Sequence, residues 1–243
     1  MIAFLGMYDM PALQSSNDLL WSLIRAELGF GPKRLTREGD PWEIWRDPGL
    51  LLAQTCGMPF RTHLHSHVQL VGTPDYGVPG CREGHYCSVL VARAADQCAG
   101  LTDFHGAPFA YNDPLSQSGW SAFRTHLDTL GIEPGPGLCT GAHVASMNAV
   151  IDGRANWASI DAVTWSILQD LGQAEGLREI DRTDPTPGLP LITSLSQDPE
   201  TIATAVRAAI AALPETDASA LRIKDLIQIS EGDYLAVPTP LDP

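Results

Sequence analysis

Positive charge is scarce in this sequence. Lysine and arginine together number 15, against 29 aspartate and glutamate residues, and the formal net charge is −14 at pH 7. The long-range field of such a chain repels nucleic acid and anionic lipid surfaces, so neither is predicted as a partner. The same field slows the approach of an anionic small molecule, so a site for one must work through short-range donors.

Long apolar runs are also missing. No stretch of about 18 apolar residues occurs, so no insertion into a membrane is predicted. The opening residues, from Met1 to Asp9, contain no basic n-region and lead to no small-residue cleavage site. As the sequence stands we expect a cytoplasmic protein, whereas a true start lying further upstream would make it periplasmic.

The cysteines follow no known metal or redox spacing. The five are Cys56, Cys81, Cys87, Cys98 and Cys139, and they form neither a CxxC pair nor a zinc-like pattern. Two interpretations stay open. Cys56 and Cys81 each lie beside a glycine in loop-like sequence and can meet as a disulfide, or the cysteines are buried thiols, which is the favoured interpretation.

What the sequence does contain is the composition of a folded globule, with 44% hydrophobic and 18% charged residues. The chain suffices for two lobes of about 120 residues each. Short apolar runs alternate with amphipathic stretches, which is typical of α/β proteins. Strands are predicted at residues 2–7, 50–53, 68–71, 86–92, 108–111 and 157–163, and helices at 118–130, 143–151, 199–213 and after a cap at Ser15, Ser16 or Asn17.

Two turn-rich segments divide the chain. Residues 72–77, GTPDYG, interrupt an apolar strand, and residues 184–190, DPTPGLP, are rich in rigid turn residues. We interpret the two segments as hinge crossings. The predicted lobes are residues 1–73 with 186–243, and residues 74–185.

An anion-binding sequence is predicted at residues 111–119, YNDPLSQSG, between a strand and a helix. The first N–H groups of a helix have no intrahelical partner and carry about half a unit of positive charge, so Ser116 and Ser118 with those amides suit an anion. The alternative is that one of these serines only caps the helix. Residues 140–143, TGAH, repeat the theme, and the two helix starts are predicted to converge.

Four short segments carry a resemblance to a known family: GHYCSVLV at 84–91, SQSG at 116–119, GAH at 141–143 and ASID at 158–161. With them the chain resembles, over nearly its whole length, the substrate-binding proteins of phosphate, phosphite and phosphonate ABC transporters. The resemblance implies the type 2 periplasmic-binding-protein fold: two α/β lobes, each a mixed, mostly parallel sheet flanked by helices, closing on a ligand in an inter-lobe cleft. It also implies an ABC transporter permease as partner.

The resemblance further implies which residues bind the ligand. Residues 116–118 with His143 hold the anionic head group, Tyr8 and residues 54–55 close from the first lobe, and Asp161 meets a ligand donor or amine. The complete candidate set is Tyr8, Asp9, Gln54, Thr55, Tyr86, Ser88, Ser116, Gln117, Ser118, His143 and Asp161. Gln117 stands where the family usually has a small hydroxyl residue, and residues 54–55 where it often has an aromatic one. The ligand therefore stays open among phosphonate, phosphite, phosphate and related anions.

Three histidines raise the question of a metal site. His63, His65 and His67 have alternate spacing, which on a strand places three imidazoles on one face, as in a zinc or copper patch. They are as easily explained as solvated loop residues, and no carboxylate or thiolate lies close in sequence. We predict neither a metal site nor a cofactor.

The alternative to a binding protein is an enzyme on the same fold acting in cofactor-precursor biosynthesis. Cys56 with His143 or His85 is a candidate thiolate pair, and the two strand-end carboxylates, Asp9 and Asp161, are a candidate acid and base. Cys56 lacks a recognisable nucleophile motif, and we predict no catalytic residues. The predicted function is a solute-binding protein that captures a small anion for ABC-type uptake or as a cytoplasmic sensor.

Overall fold

The computed structural model of the chain describes residues 1–98 and 100–241. Its strands are β1 (Ile2–Phe4), β2 (Leu50–Gln54), β3 (Val68–Asp75), β4 (His85–Tyr86), β5 (Ser88–Arg93), β6 (Phe109–Tyr111), β7 (Gly137–Cys139), β8 (Trp157–Asp161), β9 (Leu177–Arg182), β10 (Thr186–Pro187), β11 (Leu191–Ser194) and β12 (Asp225–Ile227). Its α-helices are α1 (Gln14–Leu28), α2 (Pro41–Arg46), α3 (Gly57–Pro59), α4 (Ala122–Leu130), α5 (His143–Ile151), α6 (Ala162–Asp170), α7 (Pro199–Ala212), α8 (Glu215–Leu221) and α9 (Glu231–Leu235). Short 3₁₀-helices lie at Gly6–Tyr8, Pro11–Leu13 and Leu101–Phe104, and π-helical turns at Phe60–Leu64 and Gln117–Ser121.

The chain forms two compact units. Unit 1 comprises Met1–His85 and Pro187–Ala236, and unit 2 comprises the described residues of Tyr86–Thr186 together with residues 237–241. The first passage between the units thus follows His85 instead of residue 73, and the chain passes a third time after Ala236. The C-terminal residues, expected in the first lobe, belong to unit 2.

Unit 1 contains a mixed sheet with the strand order β1-β2-β11-β3-β12. β1 is parallel to β2, whereas β11 is antiparallel to β2 and β3, and β12 is antiparallel to β3. Leu50, Leu51 and Leu52 of β2 are 0% exposed. A run of consecutive apolar residues on one strand is what a sheet covered on both faces requires, so β2 is an interior strand buried on both faces.

Unit 2 contains a second mixed sheet, with the order β7-β6-β8-β5-β9. β6 is parallel to β7 and β8, and β5 is antiparallel to β8 and β9, so β5 alone among these strands runs in the opposite direction. Its core is aromatic: Phe109 stacks on Phe123 at 4.8 Å between ring centroids, and Trp157 meets Phe123 edge to face at 5.0 Å. The α/β class and the mixed character of the sheets were predicted correctly, but the sheets are not mostly parallel. In unit 1 β11 and β12 pair antiparallel with their neighbours, and in unit 2 β5 does.

Some element boundaries differ from the prediction. Strand β3 continues through Gly72 to Asp75 instead of breaking there, because β12 pairs with residues 73–75. Leu226 of β12 covers Gly72 so closely that a Cβ there would lie 2.7 Å from its Cγ. The first helix begins at Gln14 with Leu13 as its N-cap, so the three predicted capping residues, Ser15, Ser16 and Asn17, lie inside it. The start of α7 was predicted correctly, since Asp198 caps it by accepting from the Glu200 N–H.

No disulfide links the five cysteines, all of which the structure describes, so Cys56 and Cys81 do not pair. Cys56 and Cys87 are buried, and Cys139 is exposed. Among residues 1–98 and 100–241, no helix has both the length and the apolar character needed to cross a membrane.

Candidate functional site

The first helix start of unit 2 is a π-helical turn capped by a serine. Ser116 is its N-cap, and the Ser116 hydroxyl accepts from the Gly119 N–H at 3.0 Å. A Cβ at Gly119 would overlap the side-chain oxygen of Asn112, so any larger residue there requires the Asn112 side chain to move. The turn continues into α4, so the sequence SQSG opens one continuous helical segment.

The second helix start of unit 2 lies against the first. The hydroxyl of Ser118 and Nε2 of His143 are 3.0 Å apart. His143 is the first residue of α5, whose N-cap, Ala142, provides no side-chain acceptor. The amides of the first turn of α5 therefore have no capping side chain, which is the condition for binding an external anion.

Two further serines fix the backbone of Ser118. The hydroxyls of Ser88 and Ser159 donate to the Ser118 carbonyl oxygen at 2.8 and 2.6 Å. Ser88 lies on β5 and Ser159 on the adjacent β8. The Ser88 hydroxyl thus donates within the protein, and Ser159, absent from the predicted set, contributes equally.

The imidazole of His143 carries no charge near neutral pH. Burial lowers its pKa to about 4, an effect that a nearby backbone group of Ser159 partly offsets. Nδ1 of His143 has no hydrogen-bond partner among the described residues. The polar groups that meet where Ser118 contacts His143 therefore include serine hydroxyls, helix amides and a neutral imidazole.

The other candidates of unit 2 lie close in the fold. Asp161 is 2% exposed and caps α6, accepting from the Thr164 N–H at 2.8 Å. It pairs in register with Ser88 across β8 and β5. Tyr86 and Gln117 are buried at 2% and 1% exposure. The carboxylate of Asp161 thus has a structural role, and its contact with a ligand remains a prediction.

Within unit 1, Tyr8 and Gln54 both contact Tyr76, which is not among the predicted site residues. The rings of Tyr8 and Tyr76 are edge to face at 5.0 Å, and Nε2 of Gln54 donates to the Tyr76 hydroxyl at 2.9 Å. These three residues line a cavity of about 30 Å³. Tyr76 lies directly after β3 in the segment 72–77, which its turn-like composition led us to interpret as a hinge and not as part of a site.

Thr55 and Asp9 differ in how their side chains are used. Thr55 is 0% exposed, and its hydroxyl has no hydrogen-bond partner within the described residues. Asp9 accepts from Arg37 Nε at 2.6 Å and from Asn17 Nδ2 at 3.0 Å. Asp9 therefore anchors local structure, whereas the Thr55 hydroxyl has its bonding capacity unused.

The three histidines do not lie on a strand. His63 belongs to the π-helical turn Phe60–Leu64 and contacts the Trp42 ring at 5.4 Å, and His65 lies 3.7 Å from Glu231. In the described part of the chain, no group of three or more His, Cys, Asp or Glu side chains is arranged to hold a metal ion.

Comparison with known proteins gives one matching family. The model of the phosphonate ABC transporter periplasmic substrate-binding proteins matches residues 53–233. No curated protein matches the sequence.

Several solved structures are similar over nearly the whole chain. PhnD1 from Prochlorococcus marinus, in complex with methylphosphonate, has a TM-score of 0.74 at 13% identity, covering 96% of this chain and 93% of its own. A binding-protein component of an ABC phosphonate transporter from Pseudomonas aeruginosa has a TM-score of 0.68 at 15% identity, covering 96% and 82%. Identities this low show the fold alone, that of the two-lobed periplasmic binding proteins.

Proposed function

Since this chain belongs to the family of periplasmic substrate-binding proteins of phosphonate ABC transporters, we propose that it captures a small phosphorus oxyanion for uptake. Phosphonate, phosphite and phosphate are the candidate ligands. The family and the similar structures are substrate-binding proteins and not enzymes. The ligand is accordingly released unchanged.

The contact between the two helix starts of unit 2 carries this proposal. Ser118 and His143 meet at 3.0 Å, so the Ser118 hydroxyl lies beside the start of α5, whose first-turn amides have no capping side chain. The protein has a formal charge of −14, and neutral donors at short range attract an anion without relying on that field.

In this proposal some side chains bind the ligand and others hold the binding residues in place. Ser118, Gln117 and the first-turn amides of α5 bind the oxyanion, while Ser116 shapes the turn as its cap. Ser88 and Ser159 hold the Ser118 carbonyl and so fix where its hydroxyl points. Of the unit 1 candidates, Thr55 is the most favourable donor, since its hydroxyl has no hydrogen-bond partner.

A ligand screen tests the proposal. The thermal midpoint is measured with methylphosphonate, phosphite, phosphate, sulfate and malate, followed by calorimetry on any stabiliser. A ligand at 100 times its Kd stabilises by about 2.7 kcal/mol, a clear thermal shift. We expect a phosphorus oxyanion to bind best and to be recovered intact. Stabilisation by malate alone, or chemical conversion of the bound compound, contradicts the proposal.

The proposal includes an ABC permease as partner and a location outside the cytoplasmic membrane. Delivery to an ABC permease requires the protein on the outer side of the cytoplasmic membrane, so cells lacking it should lose high-affinity uptake of the ligand. Unchanged uptake, with the protein recovered only from the cytoplasm, would instead favour the sensor.

A further inference from the structure

Residues shortly after α9 contact the turn that carries Ser118. The C-terminal segment, residues 237–241, is part of unit 2. The Trp120 indole N–H donates to the Leu241 carbonyl oxygen at 3.1 Å, and the Ser121 hydroxyl donates to the Pro238 carbonyl oxygen at 3.2 Å. Trp120 and Ser121 are the last two residues of the turn Gln117–Ser121.

Both donors are buried, so their acceptors matter for the turn. Trp120 is 5% exposed and Ser121 0% exposed. The Trp120 ring also lies against Tyr111, with 5.6 Å between centroids. A buried N–H group that loses its acceptor is costly, so the Trp120 contact with Leu241 makes the conformation of the turn depend on the C-terminal segment.

The composition of the C-terminal segment suits it to this contact. Pro238 and Pro240 lack a backbone N–H and restrict the chain to extended conformations. Less conformational entropy is lost when such a segment becomes ordered, and its carbonyl groups remain available as acceptors.

The chain before the C-terminal segment is also held. Tyr234 of α9 is 1% exposed, and its hydroxyl donates to the Gly188 carbonyl oxygen at 2.8 Å within unit 1. The N–H of Gly188 donates in turn to the Gly84 carbonyl oxygen at 2.8 Å. A short stretch of chain therefore joins an anchored helix to the turn that presents Ser118.

We propose that the C-terminal segment is a positioning element of the ligand site. The carbonyl oxygens of Pro238 and Leu241 hold the turn in the conformation that directs Ser118 toward His143 and the ligand. This inference rests on the proposed function, since it assigns a role in binding to residues that do not themselves touch the ligand.

The test combines a truncation with two matched tryptophan variants. The first protein ends at Ala236, and the second carries Trp120→Phe. The control is Trp157→Phe, because the Trp157 indole also donates to a backbone carbonyl, that of Ala107 at 3.2 Å, within the same aromatic core. Amide exchange of Trp120 and Ser121, whose N–H groups donate to the Ser116 carbonyl oxygen, and the Kd for methylphosphonate are measured for each.

We expect truncation to accelerate exchange at these amides about tenfold without ligand, and to weaken methylphosphonate binding about tenfold, as for two lost hydrogen bonds. Trp120→Phe weakens binding about threefold, whereas Trp157→Phe lowers the thermal midpoint and leaves Kd unchanged. Unchanged exchange after truncation, or equal affinity losses in the two variants, overturns the inference. If the intact protein binds no phosphorus oxyanion, the proposed function fails, while the exchange comparison still decides whether the segment orders the turn.

Discussion

The two helix starts of unit 2 resemble each other in sequence and differ in how they satisfy their amides. At the first, the Ser116 hydroxyl accepts from the Gly119 N–H, so part of the turn is closed by its own side chain. At the second, Ala142 provides no side-chain cap, and His143 bonds to Ser118 instead. A hydroxyl and a glycine at a helix start therefore do not by themselves indicate an anion site. The first-turn amides are available to a ligand only where no side chain of the protein already accepts from them.

The two serines of the SQSG turn separate these roles, and the largest expected effect comes from Ser118. Ser118→Ala removes a donor to the ligand and the bond to His143, so methylphosphonate affinity should fall about 10- to 100-fold, as for a hydrogen bond to a charged group. Calorimetry measures this change. Thermal unfolding should show a stability loss of about 1 kcal/mol beside it, because the buried imidazole of His143 loses its hydrogen-bond partner.

Ser116→Ala is the matched comparison in the same turn. Loss of the N-cap costs roughly 1 kcal/mol of stability, while affinity should fall less than in Ser118→Ala. Equal affinity losses in the two variants would show that the turn acts as one unit, and the distinction between cap and ligand donor would be wrong.

The second comparison concerns the charge of His143. Burial lowers its pKa to about 4, whereas an exposed or unfolded histidine titrates near 6.5. Between these values the unfolded chain binds more protons than the folded one, so the stability contribution is fully present above about pH 6.5 and is lost as the pH falls toward 4. The loss is roughly 1–3 kcal/mol.

Thermal unfolding between pH 7 and pH 4.5 measures this effect. His143→Gln should flatten the acid side of the profile relative to the unaltered protein, while the same substitution at the exposed His67 should leave it unchanged. A profile for His143→Gln that keeps the full acid dependence would mean that the imidazole is not held neutral in the folded state.

Some features that depend on residues close together in sequence, such as the start of α7, were predicted correctly. Asp198 with Pro199 located the start of α7, and the SQSG turn was found because glycine and hydroxyl residues mark a helix start. Strand pairing was not accessible in this way: that Ser88 and Ser159 both reach the Ser118 carbonyl depends on how β5 and β8 align. Gly72 looked like a turn because nothing nearby in sequence reveals that Leu226 covers it.

The smallest expected effects concern two fully buried threonines of unit 1. The hydroxyl of one has a hydrogen-bond partner and that of the other has none. The Thr193 hydroxyl donates to the Leu51 carbonyl oxygen at 2.8 Å, whereas the Thr55 hydroxyl has no partner among the described residues. Thr193→Val should therefore lose about 1 kcal/mol of stability, and Thr55→Val should lose none or gain up to about 1 kcal/mol, since it removes an unsatisfied polar group.

For ligand affinity we expect the opposite order, with the larger loss at Thr55. If the Thr55 hydroxyl donates to the oxyanion, Thr55→Val weakens methylphosphonate binding about 3- to 10-fold, while Thr193→Val leaves Kd unchanged. Chemical denaturation without ligand and calorimetry with it measure the two quantities independently. If Thr55→Val changes neither the free energy of unfolding nor the Kd for methylphosphonate, the Thr55 hydroxyl does not donate to the ligand. The oxyanion contacts are then restricted to unit 2.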